Sequence, residues 1–267
     1  MKLNEFQALL TPKVLLVPYS ERHVPTYHEW MKDEELQKAT ASEPLALLDE
    51  HAMQKSWRDD ADKLTFIACT PAPDSGSAIQ YSGPRPETEI PTVQPGKDDS
   101  PEVMLGDVNL FLVAADDDED EEEDADFHTI DEATKQLILE GKLQAVVGEV
   151  EIMIARKELQ GKGMGREILL TFLWYIISSL SEIMNEYHKS HNGGKAGSYM
   201  KYLRVKIDKE NARSIRLFEN AGFTKVHEQP NYFGELELRL PLSARSSDVM
   251  LLGTGVIPRL ADYKATS

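Results

Sequence analysis

Short apolar runs and longer amphipathic stretches alternate along this chain of 267 residues, which is the pattern of a mixed α/β protein. Runs rich in Val, Ile, Leu and Phe predict strands, and stretches with apolar residues three and four apart predict helices. The predicted strands are 13–19, 64–69, 102–113, 145–155, 202–207, 223–228 and 235–240. The predicted helices are 23–37, 49–58, 164–187 and 211–220.

Three segments interrupt this pattern because they lack the apolar residues that a packed element needs. Residues 71–101 hold seven of the fourteen prolines, residues 114–135 contain an acidic run, and residues 189–200 are rich in glycine. We expect all three to be flexible insertions between elements of one sheet. The sequence therefore predicts one domain over residues 1–242, followed by a tail over residues 243–267.

The formal charge of −17 is concentrated in one place. Residues 116–126 hold ten carboxylates, and without them the net charge is −7. A run of like charges repels itself and stays solvated, so we expect a disordered loop, with binding of a basic partner as the alternative. The chain has no basic stripe, which argues against a nucleic acid as its partner.

The sequence lacks the usual signs of a secreted, membrane or metal-binding protein. Cys69 is the only cysteine, so neither an intramolecular disulfide nor a cysteine-rich metal site can form, and we expect no metal. The first residues contain no apolar signal-peptide core. The most apolar stretch, 168–180, is shorter than the roughly 20 residues that span a bilayer. We therefore expect a cytoplasmic protein with no membrane partner.

A glycine loop joins the strand 145–155 to the longest predicted helix. Glycine lets the backbone approach a ligand closely, and the N–H groups at the start of the helix favour an anion such as a diphosphate. A dinucleotide-binding fingerprint would need a third glycine where this chain has Ile168 or Leu169, so the remaining alternative is a plain tight turn. The loop consists of Gln160, Gly161, Lys162, Gly163, Met164, Gly165 and Arg166.

A strand, a helix and a Gly-Phe exit follow in residues 206–223. Gly222 suits the left-handed position after a helix, and Phe223 begins the next strand. Asn211 precedes the helix, where it either caps the first turn or contacts a ligand.

Together, the glycine loop and the helix with Asn211, Ser214, Phe218 and Gly222-Phe223 resemble the two signature motifs of the GNAT acetyltransferase superfamily. Shorter blocks resemble the N-acetyltransferase 9 family more closely. These blocks are 1–4, 17–19, 28–32, 40–44 and 106–112. The resemblance covers nearly all predicted elements and leaves out the insertions and the tail.

The resemblance implies an α/β (α+β) fold with a single GNAT-type domain. Helices would flank a mixed central sheet whose fourth and fifth strands splay apart. The resemblance also implies acetyl-CoA as the co-substrate, because ladder groups left unpaired on the fourth strand can hold the pantetheine arm like an added strand.

The same resemblance assigns the residues that would bind the co-substrate. Main-chain atoms of Met153, Ile154 and Ala155 would hold pantetheine, and the glycine loop would hold the diphosphate. The opposite wall would be lined by Asn211, Ser214 and Phe218.

Acetyl transfer to an amine needs a base for the ammonium proton and an acid for the leaving thiolate. Glu149 and Glu151 face the same way on one strand, so either is a candidate base, or both are solvated strand carboxylates. Tyr232 is the candidate acid because a phenol can protonate a thiolate; the alternative is an ordinary aromatic at a strand start. Cys69 is far in sequence from the loop, which favours direct attack in a ternary complex over an acyl-cysteine.

These observations predict an acetyl-CoA-dependent N-acetyltransferase that modifies a protein amine, either an α-amino group or a lysine. The alternative is a protein that retains the fold but acts by association, with little or no catalysis. The resemblance implies tubulin as the first protein substrate to consider, and microtubules as the partner in the alternative. The sequence does not indicate an oligomeric state.

Overall fold

The computed structural model describes residues 1–71, 90–115, 132–191, 193–242 and 257–264. In this part of the chain one sheet of ten strands is flanked by seven helices. The strands are β1 (Gln7–Leu10), β2 (Leu15–Pro18), β3 (Lys63–Cys69), β4 (Thr92–Val93), β5 (Met104–Ala114), β6 (Leu143–Ile154), β7 (Gly197–Asp208), β8 (Thr224–Lys225), β9 (Glu235–Pro241) and β10 (Arg259–Tyr263). The helices are α1 (Val24–Trp30), α2 (Glu34–Ala39), α3 (Leu47–Asp59), α4 (Glu132–Leu139), α5 (Met164–Ser178), α6 (Leu180–His191) and α7 (Ala212–Glu219).

The strand order across the sheet is β4-β10-β1-β2-β3-β5-β6-β7-β9-β8. Two of these neighbouring pairs are parallel, β6 with β7 and β4 with β10, and the others are antiparallel. The predicted mixed sheet with flanking helices is therefore confirmed.

The two faces of the sheet carry separate hydrophobic cores because successive strand residues point in opposite directions. In β3, Phe66 contacts Phe172 and Tyr175 of α5 edge-on, with ring centroids 6.0 and 5.3 Å apart. Its neighbour Ile67 lies in the other core, which includes Tyr27 of α1. The sheet is thus the middle layer of three.

The parallel pairing of β6 and β7 ends part-way along both strands. The last Cα partners are Glu149 and Arg204. Beyond this point β6 remains paired with β5 as far as Ile154, while β7 remains paired with β9 as far as Asp208. From Val150 onward, no strand in the described part of the chain pairs with β6 on the side that faces β7, which is the predicted splaying.

The predicted long helix 164–187 is in fact two helices, α5 and α6, bent by 70°. Ser178 donates a hydrogen bond from its Oγ to the carbonyl oxygen of Trp174 at 2.6 Å, an interaction that bends helices, and Ser179 ends α5. No single helix among the described residues is long and apolar enough to cross a membrane. The bent pair α5 and α6 meets the length and composition requirements only when the two helices are counted together.

The predicted helix 23–37 is also divided, into α1 and α2. Asp33 causes the restart, since its side chain accepts hydrogen bonds from the N–H groups of Glu35 and Leu36. Such an N-cap fixes where a helix begins.

Parts of the predicted tail, of the proline-rich insertion and of the glycine-rich insertion 189–200 belong to the sheet. In the glycine-rich insertion, α6 continues to His191 and β7 already begins at Gly197. Strand β10 pairs with β1 along its length and with β4 at its end. Residues 72–89 of the insertion, the acidic run 116–126 and residues 243–256 of the tail lie outside the described residues. The expected disorder of the acidic run therefore stays a prediction.

Asp99 ties β10 and the turn after β4 to the segment before α1. His23 and Asp99 are fully buried, with Nε2 of His23 2.9 Å from Oδ2 of Asp99. The hydroxyl of Tyr263 and the N–H of Gly96 also donate to this carboxylate. Burial alone raises the pKa of Asp99, but the hydrogen bonds from His23 and Tyr263 hold it below its usual value.

We expect replacement of Tyr263 by phenylalanine to lower the free energy of unfolding by about 1–3 kcal/mol, because Asp99 would remain buried without one donor. Urea denaturation measures this change. Tyr232→Phe is the matched control, since Tyr232 is 97% exposed, against 7% for Tyr263. It should change stability by less than about 0.5 kcal/mol. Equal stabilities of wild-type protein and Tyr263→Phe would contradict the role of this contact.

Candidate active site

The divergence of β6 and β7 opens a cleft of about 740 Å³. Its walls come from α2, the end of β6, the glycine loop and α7. Nine residues predicted to bind the co-substrate line it. They are Met153, Ile154, Gln160, Gly161, Gly163, Gly165, Arg166, Asn211 and Ser214.

The glycine loop has a backbone that side chains would disfavour. Gly161 and Gly163 have φ angles of 74° and 82°, in the left-handed region. Gly163 directly precedes the first residue of α5. The first-turn N–H groups of a helix lack helical partners, so the turn presents donors and the positive end of the dipole beside the cleft.

Gln160 connects the two sides of the cleft. Its Nε2 donates to the carbonyl oxygen of Ile154 at 2.8 Å, and its Oε1 accepts from Nη1 of Arg213 at 3.1 Å. The side chain thus links the free edge of β6 to α7. Its role in the structure is to brace the loop.

Several cations surround the glycine loop. Arg166, Arg213 and Arg216 line the cleft, and Lys162 lies within the loop. Lys157 also lines the cleft, but its Nζ lies 2.8 Å from Asp33 and 2.6 Å from Glu35. This end of the cleft can therefore hold phosphate groups, which Arg binds through paired N–H donors.

On the opposite wall, α7 starts with a capping contact. The Oδ1 of Asn211 accepts from the N–H of Ser214 at 3.1 Å, which is the capping alternative for this residue. Both residues nevertheless line the cleft. The prediction for Phe218 was wrong: its side chain is 1% exposed and packs edge-on against Phe223 in the core.

At the end of β6, close packing against β5 fixes the strand. A Cβ at Gly106 would lie 1.9 Å from the carbonyl oxygen of Met153, so only glycine allows this approach. The N–H of Ala155 donates to the carbonyl oxygen of Leu105 at 2.9 Å and is therefore not available to a ligand. Ala155, Lys162 and Met164 adjoin residues of the cleft wall without being part of that wall.

Glu149 is the less accessible of the two candidate bases. Its Oε2 lies 2.8 Å from Nε of Arg204 and 3.9 Å from Nζ of Lys206. Both cations are on β7, and Glu149 and Arg204 form the last Cα pair of the β6–β7 ladder. Glu149 therefore joins β6 to β7 at the fork, which is the point after Glu149 and Arg204 where the two strands separate.

Glu151 has a different environment. It is exposed to solvent, and within the described part of the chain no hydrogen bond or ion pair holds its carboxylate. Neighbouring protein atoms still reduce its hydration, and this desolvation, with the charges of Asp107 and Glu149, raises its pKa to about 7. A carboxylate with such a pKa can take up a proton near neutral pH.

The structure does not bring Tyr232 to the cleft. Its side chain is 97% exposed and contacts Phe233 in the loop before β9. Cys69 is fully buried, and burial raises the pKa of its thiol, so it is not an available nucleophile.

Sequence reasoning missed the contributions of α2 and of the two arginines of α7. Leu36 and Thr40 line the cleft from one side, and Arg213 and Arg216 from the other. The two arginines are three residues apart and therefore share a face of α7. This spacing is the feature of the sequence that could have predicted a positive cleft wall.

Comparison with known proteins agrees with this geometry. The family model for the acetyltransferase (GNAT) domain matches residues 13–224. Human alpha/beta-tubulin-N-acetyltransferase 9 is 36% identical over 244 residues, which cover 91% of this chain and 87% of the relative. The N-acetyltransferase 9-like protein of Schizosaccharomyces pombe is 37% identical over 241 residues, which cover 90% of this chain and 98% of the relative.

Among solved structures, spermidine N-acetyltransferase from Vibrio cholerae, in complex with CoA and spermine, is similar in fold, with a TM-score of 0.50. It is 13% identical, and the match covers 86% of this chain and 94% of that one. At this identity the similarity shows the fold alone. The family-model match and the curated relatives show that the chain is an N-acetyltransferase and belongs to the N-acetyltransferase 9 family of the GNAT acetyltransferases.

Proposed function

We propose that the chain binds acetyl-CoA in the cleft between β6 and β7. The observation that carries this proposal is the edge of β6 from Val150 to Met153, which pairs with no other described strand on the side of β7 and leads directly to the glycine loop. An extended amide-containing arm pairs with such an edge, and a diphosphate fits the N–H groups at the start of α5. The arginines of α7 supply charge for further phosphate groups.

Bound acetyl-CoA would supply the acetyl group as a thioester. Glu151 would accept the proton of the acceptor ammonium, directly or through water, and the freed amine would attack the carbonyl carbon. The carbon–nitrogen bond forms as the carbon–sulfur bond breaks, the thiolate leaves with the electron pair, and the second proton lost by the nitrogen passes to that thiolate through solvent. Direct transfer is supported by the burial of Cys69.

The proposed acceptor is an amine of a protein, either an α-amino group or a lysine. The curated relatives from human and Drosophila melanogaster are named alpha/beta-tubulin-N-acetyltransferase 9, which makes tubulin the first acceptor to test in this chain. A tubulin acceptor would place the reaction in the cytoplasm. Mass spectrometry of tubulin treated with the protein and labelled acetyl-CoA identifies the modified amine.

The glycine loop provides a direct test of the co-substrate site. A β-branched residue at the φ angle of Gly163 is strained, so Gly163→Val should displace the loop and weaken CoA binding by about tenfold or more. Isothermal titration calorimetry with CoA measures the change.

Gly141 provides the matched control, because it also has a left-handed φ, 64°, with open space around its Cβ position, and it lies between α4 and β6. Gly141→Val introduces comparable backbone strain away from the cleft and should leave CoA affinity unchanged. Equal CoA affinities of folded Gly163→Val and wild-type protein would rule out this site.

The two glutamates of β6 provide a test of the base. Glu151→Gln should lower kcat by about 10²–10⁴-fold, which is the usual contribution of a general base, with CoA affinity unchanged. In the wild-type protein kcat/KM should rise with pH through about 7, because Glu151 must lose its proton before it can act as a base. The variant should lack this titration.

Glu149→Gln is the comparison, since its carboxylate already binds Arg204. It should change kcat by less than about tenfold, as expected for the loss of one partly exposed ion pair. A folded Glu151→Gln protein with wild-type kcat would exclude this base. If the wild-type protein transfers acetyl to no amine but binds microtubules, function by association replaces catalysis.

A further inference from the structure

Beside Glu151, the adjacent strand β5 carries two polar side chains that the proposed reaction has not used. Asn109 is the Cα partner of Glu151, and Asp107 is the partner of Met153. Residues two apart on a strand share a face, so Asp107, Asn109 and Glu151 lie on one face of the sheet. Directly opposite and diagonal neighbours on such a face are close enough to interact. Asp107 and Asn109 are 2% and 4% exposed.

In the described part of the chain, both side-chain hydrogen bonds to Asp107 reach the same carboxylate oxygen. The hydroxyl of Tyr27 donates to Oδ2 at 3.2 Å, and Nδ2 of Asn109 donates to the same oxygen at 2.9 Å. Oδ1 of Asp107 and Oδ1 of Asn109 are buried without a donor among the described residues. An acceptor that stays unpaired costs about 1–3 kcal/mol, so this polar pair does not stabilise the sheet in the way that apolar side chains at these positions would.

The charges near Glu151 are mainly negative. On β6 the neighbour is Glu149, whose carboxylate engages Arg204 and Lys206 of β7. From the helical layer, the hydroxyl of Tyr27 approaches Asp107. The charges of Asp107 and Glu50 both act on Tyr19, and Glu50 is paired with His28. The buried carboxylate of Asp107 is therefore the principal charge facing Glu151 from the neighbouring strand.

We propose that Asp107 is a positioning residue for acetyl transfer, oriented by Tyr27 and Asn109, and that it acts through Glu151 by favouring transfer of the acceptor proton to that carboxylate. The inference rests on the proposed function, in which Glu151 is the base. Asp107 does not touch the acceptor, since its carboxylate is buried beneath Tyr27.

Electrostatics agrees with this geometry. Burial raises the pKa of Asp107 to about 6, despite the hydrogen bonds from Asn109 and Tyr27, which oppose the rise. For Glu151, desolvation is the largest cause of a pKa of about 7, followed by the charge of Asp107 and then that of Glu149. Two neighbouring carboxylates resist simultaneous ionisation, and the hydrogen bonds from Asn109 and Tyr27 favour the ionised form of Asp107, so Glu151 is the one that holds a proton more readily.

The test is the pH dependence of kcat/KM in Asp107→Asn, which keeps the shape of the side chain and removes its charge. The acidic limb of the pH profile should move to lower pH by about one unit, because a like charge on a diagonal neighbour of the adjacent strand raises a pKa by roughly that much. Asp98→Asn is the matched control. Asp98 is also a buried carboxylate, 6% exposed, but it accepts from the N–H of Gln94 in a turn. Removal of the Asp98 charge should leave the acidic limb of the kcat/KM profile at its wild-type pH.

A double-mutant cycle separates action through Glu151 from general support of the fold. In the Glu151→Gln background, Asp107→Asn should cause no further loss of kcat and no pH shift. Equal fold-losses in both backgrounds would overturn the inference, because a purely structural role is independent of Glu151.

A readout that does not depend on turnover is NMR titration of protein labelled with [δ-13C]glutamate, where Glu151→Gln assigns the Glu151 resonance. The titration midpoint of Glu151 should fall in Asp107→Asn and stay unchanged in Asp98→Asn. If the Glu151 midpoint does not move in Asp107→Asn, the inference about Asp107 is wrong. The proposed function still stands in that case if the wild-type protein transfers acetyl groups. A wild-type protein without transferase activity overturns both.

Discussion

The end of the parallel ladder between β6 and β7 is the constraint on which the rest of the site depends. Glu149 and Arg204 are the last Cα partners and are also joined by an ion pair of 2.8 Å. Beyond them each strand is held on its outer side, β6 by β5 and β7 by β9. Neither strand can close the gap without losing hydrogen bonds to its own neighbour. The fork is therefore a stable feature, and its unpaired β6 edge is available for a ligand.

The fork also separates charge along the site. The glycine loop and the arginines of α7 make the cleft wall positive, whereas the carboxylates of Glu149, Glu151 and Asp107 do not line the cleft. Glu149 and Glu151 lie on β6 before that strand reaches the wall, and Asp107 lies beside it on β5. An anionic co-substrate and a cationic acceptor are therefore attracted to different ends of one strand. The backbone sets this order, since β6 carries the carboxylates first and leads into the glycine loop afterwards.

Local sequence patterns were sufficient to predict the strands and helices whose own residues show a clear periodicity. Periodicity predicted β3, β5, β6, β7 and β9, and the glycine loop was identified from its place between a strand and a helix. Features that depend on tertiary contacts were missed. Strand β1 is a four-residue run, and β10 becomes a strand only through pairing with β1 and β4.

For the site, residue spacing identified the cleft but not the direction of each side chain. Phe218 follows the helical pattern of the motif, yet its own helix turns it into the core. Glu149 and Glu151 are equivalent in a strand pattern, and only the position of Arg204 on another strand distinguishes them. The buried partners of Asp107 come from α1 and β5, a pairing that no local pattern encodes.

The place of β10 has a consequence for the synthesis of the chain. Leu9 pairs with Leu260, so β1 completes its outer ladder only after residues 259–262 have left the ribosome. Contacts this distant in sequence form late. Until then, β1 presents a row of unpaired N–H and C=O groups, which can recruit a strand from another molecule. Nascent chains and fragments cut before residue 259 are therefore the forms of this protein most exposed to edge-to-edge aggregation.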